Sequence, residues 1–276
     1  MWRIGTIRDI SSKRAAFFDL HETYGIIYVV KDAGTSKLFA NGVLWTDWSD
    51  ADFPYLHQVR WLSDRAAILW SVPGGAVIVS DHKVSKIPVG FGVRKLIVST
   101  DFLFVAYGEE AVLGAAPEEY EFNVISAFTR SGVFSCGLAK LVTKIEYNGV
   151  IIEVPNCYAC GDRLIFLAYQ TSYVWALDAK AKRLQRTSAI SLPDSNAVAI
   201  LGDAGTCWIL SRTVTGTLPA VAVDLTDGVV RQEESDLVPL ISAKGFNPDH
   251  LLFADAYDGK VIVSDGKMAG ILEILA

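Results

Sequence analysis

Val77-Ile78-Val79-Ser80-Asp81-His82-Lys83 recurs downstream as Val261-Ile262-Val263-Ser264-Asp265-Gly266-Lys267, and the offset of 184 residues is four times 46. A short β-branched run that ends in Ser-Asp reads as a strand entering a turn. Its return at a fixed period points to a repeat architecture. Weaker copies fill the slots between: Leu38-Phe39-Ala40-Asn41-Gly42, Ile125-Ser126-Ala127-Phe128-Thr129, Trp175-Ala176-Leu177-Asp178 and Val221-Ala222-Val223-Asp224. The polar residues that end the copies fall at 41, 81, 129, 178, 224 and 265, a spacing of 40 to 49 residues. Six units account for nearly the whole chain.

Each unit reads as four short strands. In the second they run from Gln58 to Leu62, Ala66 to Ser71, Ala76 to Ser80 and Val84 to Val89, with turns at Ser63-Asp64-Arg65 and Pro73-Gly74-Gly75. Matching first turns fall at His21-Glu22-Thr23, Ser99-Thr100-Asp101, Gly161-Asp162-Arg163, Gly202-Asp203-Ala204-Gly205 and Asn247-Pro248-Asp249, where Asp, Asn and Gly suit sharp reversals. No stretch shows a helical period. The expected fold is therefore all-β, one six-bladed β-propeller of four-stranded blades over residues 1–276, with seven blades or a β-sandwich as alternatives. Either Ile271–Leu275 or Trp2–Ile7 can supply the outer strand that closes the ring.

Composition agrees with one compact unit. Of the 276 residues, 51% are hydrophobic and 20% charged, which is ample material for a core. A net charge of −6 disfavours a wide phosphate-binding surface, so nucleic acid is not an expected partner. The start, Met1-Trp2-Arg3-Ile4-Gly5, lacks the apolar stretch of a secretory signal, and no run is long enough to span a membrane. The expectation is a cytoplasmic protein with no membrane partner. Four cysteines, at 136, 157, 160 and 207, are too few and too irregular for a disulfide framework.

Several motifs invite chemistry and do not support it. Cys157-Tyr158-Ala159-Cys160 has redox or zinc spacing, but on a strand the two sulfurs face opposite ways, and no second ligand pair follows. Gly90-Phe91-Gly92-Val93-Arg94-Lys95 lacks the third Gly and the helix of a phosphate loop. Asp47, Asp50 and Asp52 lack the Gly and distal Glu of a calcium loop. Four histidines are scattered over different units. No cofactor, metal or catalytic residue is assigned. Asp203-Ala204-Gly205-Thr206-Cys207-Trp208 resembles the tail of the Asp-box of sialidases and related propellers, S-x-D-x-G-x-x-W, although Leu201 stands at the Ser position and one copy exists. The resemblance implies a propeller and a folding element rather than an active site.

Charge is more informative. Alternating strand direction sends the links from second to third strand, and from unit to unit, to one rim. Three such links are long: Leu44–His57, Gly108–Glu121 and Gln232–Lys244. They carry Asp47, Asp50 and Asp52; Glu109, Glu110, Glu118, Glu119 and Glu121; and Glu233, Glu234 and Asp236, with Trp45, Trp48, Tyr55 and Tyr120 among them. Basic residues such as Lys180, Lys182 and Arg183 favour the opposite rim. An acidic rim with aromatic anchors suits a non-enzymatic module that captures a basic protein, one form being a bacterial immunity protein that neutralises a cationic toxin. The alternatives are a glycosidase-like hydrolase with carboxylates at the channel mouth, and a permanent subunit of a larger assembly.

Overall fold

The computed structural model describes residues 1–13, 15–53, 56–71, 75–81, 83–90, 92–107, 124–138, 141, 156–167, 173–187, 196–234 and 236–275. It is a six-bladed β-propeller of six four-stranded antiparallel sheets. The chain opens with β1 (Trp2–Asp9) and then lays down blade 1 as β2 (Phe17–His21), β3 (Gly25–Asp32), β4 (Thr35–Ala40) and β5 (Val43–Ser49). Blade 2 is β6 (Leu56–Ser63), β7 (Ala66–Ser71), β8 (Gly75–Ser80) and β9 (Lys83–Ile87). Blade 3 is β10 (Val93–Val98), β11 (Phe102–Tyr107), β12 (Ile125–Thr129) and β13 (Phe134–Gly137). Blade 4 follows as β14 (Asn156–Cys160), β15 (Arg163–Leu167), β16 (Val174–Asp178) and β17 (Arg183–Arg186). Blade 5 is β18 (Asn196–Gly202), β19 (Thr206–Arg212), β20 (Ala220–Asp224) and β21 (Val230–Glu234), and it leads into the short helix α1 (Val238–Ala243). A helix of six residues is too short to show a period in sequence.

Blade 6 takes β22 (Leu252–Asp255), β23 (Val261–Ser264) and β24 (Met268–Ile274) from the end of the chain and β1 from its start, in the order β1-β24-β23-β22. Pairing runs from Trp2↔Ile274 to Asp9↔Met268. The ring therefore closes on the Trp2 strand, with Ile271 in the third strand rather than the outer one.

This resolves the phase of the repeat. Val77–Ser80 belongs to β8, a third strand, whereas Val261–Ser264 is β23, a second strand. The two segments that match best occupy non-equivalent places, because a β-branched run followed by an Asp turn is chemically the same wherever a strand reverses. Asn247–Asp249 likewise lies in the link between blades 5 and 6, not in a first turn. The equivalent third strands begin at residues 35, 75, 125, 174, 220 and 268.

The apolar core is divided into six clusters, one between each pair of neighbouring blades. Alternation along the strands produces this division: in β3, Ile27 and Val29 pack toward blade 2, while Ile26 and Tyr28 pack toward blade 6. Cys157 and Cys160 obey the same rule, Cys157 joining the cluster shared with blade 3 and Cys160 the one shared with blade 5. Burial holds the Cys160 thiol above its ordinary pKa, the reverse of what a reactive cysteine needs. Asp203 accepts from the amides of Gly205 (2.7 Å) and Thr206 (2.8 Å), so the Asp-box-like segment shapes the first hairpin of blade 5.

Candidate functional site

In this topology, links from second to third strand and from blade to blade leave one side of the ring, the upper rim. Hairpins from first to second and from third to fourth strand leave the lower rim. Asp50, Asp52 and Asp236 lie in blade-to-blade links and so belong to the upper rim. Tyr55, Glu109, Glu110, Glu118, Glu119, Tyr120 and Glu121 lie outside the described residues.

The segment Leu44–His57 is not one long link, because β5 runs to Ser49 and β6 starts at Leu56. Trp45, Asp47 and Trp48 stand on the outer strand of blade 1. A bulge there sets Leu44 and Thr46 opposite Phe39 and Leu38, which inserts Trp45 as an extra residue. The bulge lets Trp45 and Trp48, three apart, both pack on the cluster between blades 1 and 2. They still diverge along the strand: Trp45 meets Trp61 edge to face at 5.3 Å and borders a hollow with Asp64, Arg65 and Asp81 at the lower side.

Trp48 and Asp52 do come together. They line an apolar groove of about 230 Å³ between blades 1 and 2, whose floor includes Phe53, Val77 and Val79 and whose far lip carries Val84 and Lys86. Trp48 Nε1 is shielded from solvent and has no hydrogen-bond partner among the described residues. Val84 is 56% exposed, an apolar side chain left open at the edge of the groove.

The acids divide into two groups. Asp50 accepts from the Ser36 hydroxyl at 2.6 Å, and Asp236 accepts from the amides of Leu218 (2.8 Å) and Val238 (3.0 Å), pinning α1 to blade 5. These two shape loops. Asp47, Asp52 and Glu233 are exposed, while Glu234 ends β21.

A second concavity went unnoticed in the sequence. On the lower rim, the first hairpins of blades 6, 1 and 3, the end of β6 and the third-to-fourth hairpin of blade 3 converge on a cavity of about 170 Å³ lined by His21, Tyr24, Trp61, Arg130, Tyr257 and Asp258, among others. His21 is stacked between Tyr24 (3.9 Å) and Tyr257 (3.7 Å). Its Nδ1 accepts from the amides of Thr23 (3.1 Å) and Tyr24 (3.3 Å), and burial lowers its pKa against the opposing pull of Asp258 and Glu22. The imidazole is thereby held neutral, with its proton on Nε2. Burial also pushes the Tyr257 phenol up to about 12, so it stays a neutral hydroxyl. The turns at His21–Thr23 and Ser99–Asp101 were legible one by one; their convergence needed the ring.

The hairpin of blade 6, Ala256 to Lys260, borders this cavity. The Glu22 amide donates to the Tyr257 hydroxyl at 3.1 Å, and Lys260 bridges Glu22 and Glu273, both at 2.9 Å. On the far side the Gly259 amide donates to the Ala159 carbonyl of blade 4 (2.9 Å), and the Gly202 amide of blade 5 donates to the Gly259 carbonyl (2.8 Å). Gly259 has φ +69°, and a Cβ there would lie 1.8 Å from the Gly202 oxygen, so only glycine fits.

No family model matches this chain, and no curated protein does. Among solved structures it is similar to Hsv2 of Kluyveromyces lactis, with 13% identity and a TM-score of 0.50 over 90% of this chain and 70% of that one. It is also similar to a chain of the mitotic checkpoint complex, with 9% identity and a TM-score of 0.50 over 98% and 95%. Dihydro-heme d1 dehydrogenase NirN matches with 14% identity and a TM-score of 0.51 over 86% and 48%. Identities this low show the fold alone, and the fold serves many functions. Among the described residues, no helix is long and apolar enough to cross a membrane, and no cluster of His, Cys, Asp and Glu could hold a metal ion.

Proposed function

We propose that this chain is a non-enzymatic protein-binding module that captures a basic partner through its upper rim. The observation that carries this reading is the groove between blades 1 and 2, where the Trp48 ring and the Asp52 carboxylate border one apolar hollow. An aromatic anchor beside an acid is the pairing that a cationic partner with an apolar side chain requires. The exposed carboxylates of Asp47 and Glu233 extend the same sign of charge, which speeds encounter with a cationic surface. A similar propeller occurs within the mitotic checkpoint complex, an assembly of proteins. An immunity protein that masks a cationic toxin domain is the concrete form of this function. The masked toxin would be held at the groove by one apolar anchor and at the rim by its lysines and arginines.

Titration calorimetry against a panel of cationic proteins, with acidic proteins as controls, tests the reading. Expected is binding that weakens on raising salt from about 0.05 to 0.5 M, and that falls about tenfold or more in Trp48→Ala. Binding by no cationic protein, or binding indifferent to both Trp48→Ala and Asp52→Asn, overturns it.

A further inference from the structure

The cavity on the lower rim has a chemistry unlike that of the upper rim. Its walls hold one cation and one anion, neither matched by an ion pair among the described residues. The guanidinium of Arg130 donates to two backbone carbonyls, those of Thr100 (3.3 Å) and Leu62. A guanidinium has five N–H donors, so donors remain for a ligand. Asp258 forms no salt bridge and accepts no hydrogen bond among the described residues. It adopts φ +46°, a left-handed conformation fixed between Tyr257, tied to blade 1, and Gly259, tied to blades 4 and 5. Its backbone is thus held by neighbours on both sides, while its carboxylate stands exposed at the edge of the cavity.

The rings of Tyr24 and the largely buried Trp61 also line the cavity. Tyr24 packs edge to face on Trp61 at 5.8 Å and stacks on His21, and Trp61 is itself anchored by Nε1 donating to the Gly25 carbonyl at 3.1 Å. The cavity measures about 170 Å³. That suits a small molecule rather than a protein segment.

We infer that this cavity binds a small zwitterion of the amino-acid class, its ammonium on Asp258, its carboxylate on Arg130 and its apolar part on Tyr24 and Trp61. The opposite charges on one small cavity favour a ligand that carries both, because a singly charged molecule makes a charge-assisted hydrogen bond with only one of them. Both α-amino acids and ω-amino acids carry this chemistry, and they differ in the distance between their charges.

Calorimetric titration of the full chain with leucine, phenylalanine, 4-aminobutyrate and 6-aminohexanoate separates the two kinds. Leucine amide and N-acetylleucine, and hexylamine and hexanoate, are the singly charged controls. Expected is dissociation in the micromolar to low-millimolar range for one kind of zwitterion, with each matching control at least about tenfold weaker. Asp258→Asn should weaken that zwitterion about tenfold or more and leave the carboxylate-only control unchanged. Arg130→Lys should weaken the zwitterion and leave the ammonium-only control unchanged. If the Arg130 variant fails to fold through loss of its two carbonyl bonds, Asp258→Asn alone decides the matter. No saturable binding of any zwitterion, a control that binds as tightly as its zwitterion, or an Asp258→Asn variant with unchanged affinity overturns the inference.

Discussion

Two seams of this ring carry their charges in opposite ways. Between blades 1 and 2, which the chain joins directly, Asp19 and Arg60 meet at 3.3 Å with side chains 8% and 7% exposed, and the Asp19 carboxylate also accepts from the Trp61 amide at 2.8 Å. Burial raises the Asp19 carboxyl above its ordinary pKa, and the Arg60 charge and the amide offset that only in part. Within blade 6, where the two ends of the chain meet as β1 and β24, three residues share a half-open cluster with Glu22 of blade 1. Arg3 and Lys260 both pair with Glu273 and Glu22, and only Glu273 is deeply buried. Burial works against the Lys260 ammonium, yet its two carboxylate partners win and hold its pKa above the usual value. The seam between two blades joined by a link uses one dehydrated pair. The junction of β1 with β24, strands from opposite ends of the chain, uses several partly hydrated pairs, which can form after the ends have found each other.

The contrast breaks first at the buried pair. Arg60→Ala leaves Asp19 dehydrated and unpaired, and should cost about 3–5 kcal/mol in urea unfolding. Because that pair is shielded, the loss should change little with salt, and Asp19→Leu combined with Arg60→Met should recover most of it. Gly259→Ala comes next, with an expected loss of at least about 2 kcal/mol, since it combines a left-handed backbone with a collision at the Gly202 carbonyl. Glu273→Gln removes the carboxylate shared by Arg3 and Lys260 and should cost about 1–2 kcal/mol. Here the loss should shrink as salt rises, because Arg3 is half exposed; an equal salt response in Arg60→Ala would erase the distinction between the seams.

The smallest effect concerns pH. Burial lowers the pKa of His21 and of His57 in the folded state, so between their folded values and about 6.5 the unfolded chain binds protons that the native one does not. Their contribution is complete above about pH 6.5 and is lost as pH falls through that window. Urea midpoints measured across it should decline toward acid, and less so in His21→Gln.

The sequence made the blades legible because each strand is short, β-branched and closed by Asp, Asn or Gly. Asp178 and Asp224 do accept from the amides of Ala181 (2.7 Å) and Thr226 (2.7 Å) in the turns after their strands. It misled on phase, since Val77–Ser80 and Val261–Ser264 look alike while standing one strand apart in their blades. It also hid the bulge at Trp45, which depends on the register against β4 rather than on any local signal. Trp48 and Asp52 could be picked out as neighbours on one outer edge. The lower-rim cavity could not: His21, Trp61, Arg130 and Tyr257 are brought together by closure of the ring, and no spacing along the chain anticipates it.

Gly259 also provides a clock for the docking of blades 4, 5 and 6. Its amide is protected only while blade 6 is docked on blade 4, and that of Gly202 only while blades 5 and 6 are docked, so neither can form its bond within a single blade. Their hydrogen exchange should follow the slowest, whole-molecule opening, whereas the hairpin amides of any single blade can exchange through local fraying.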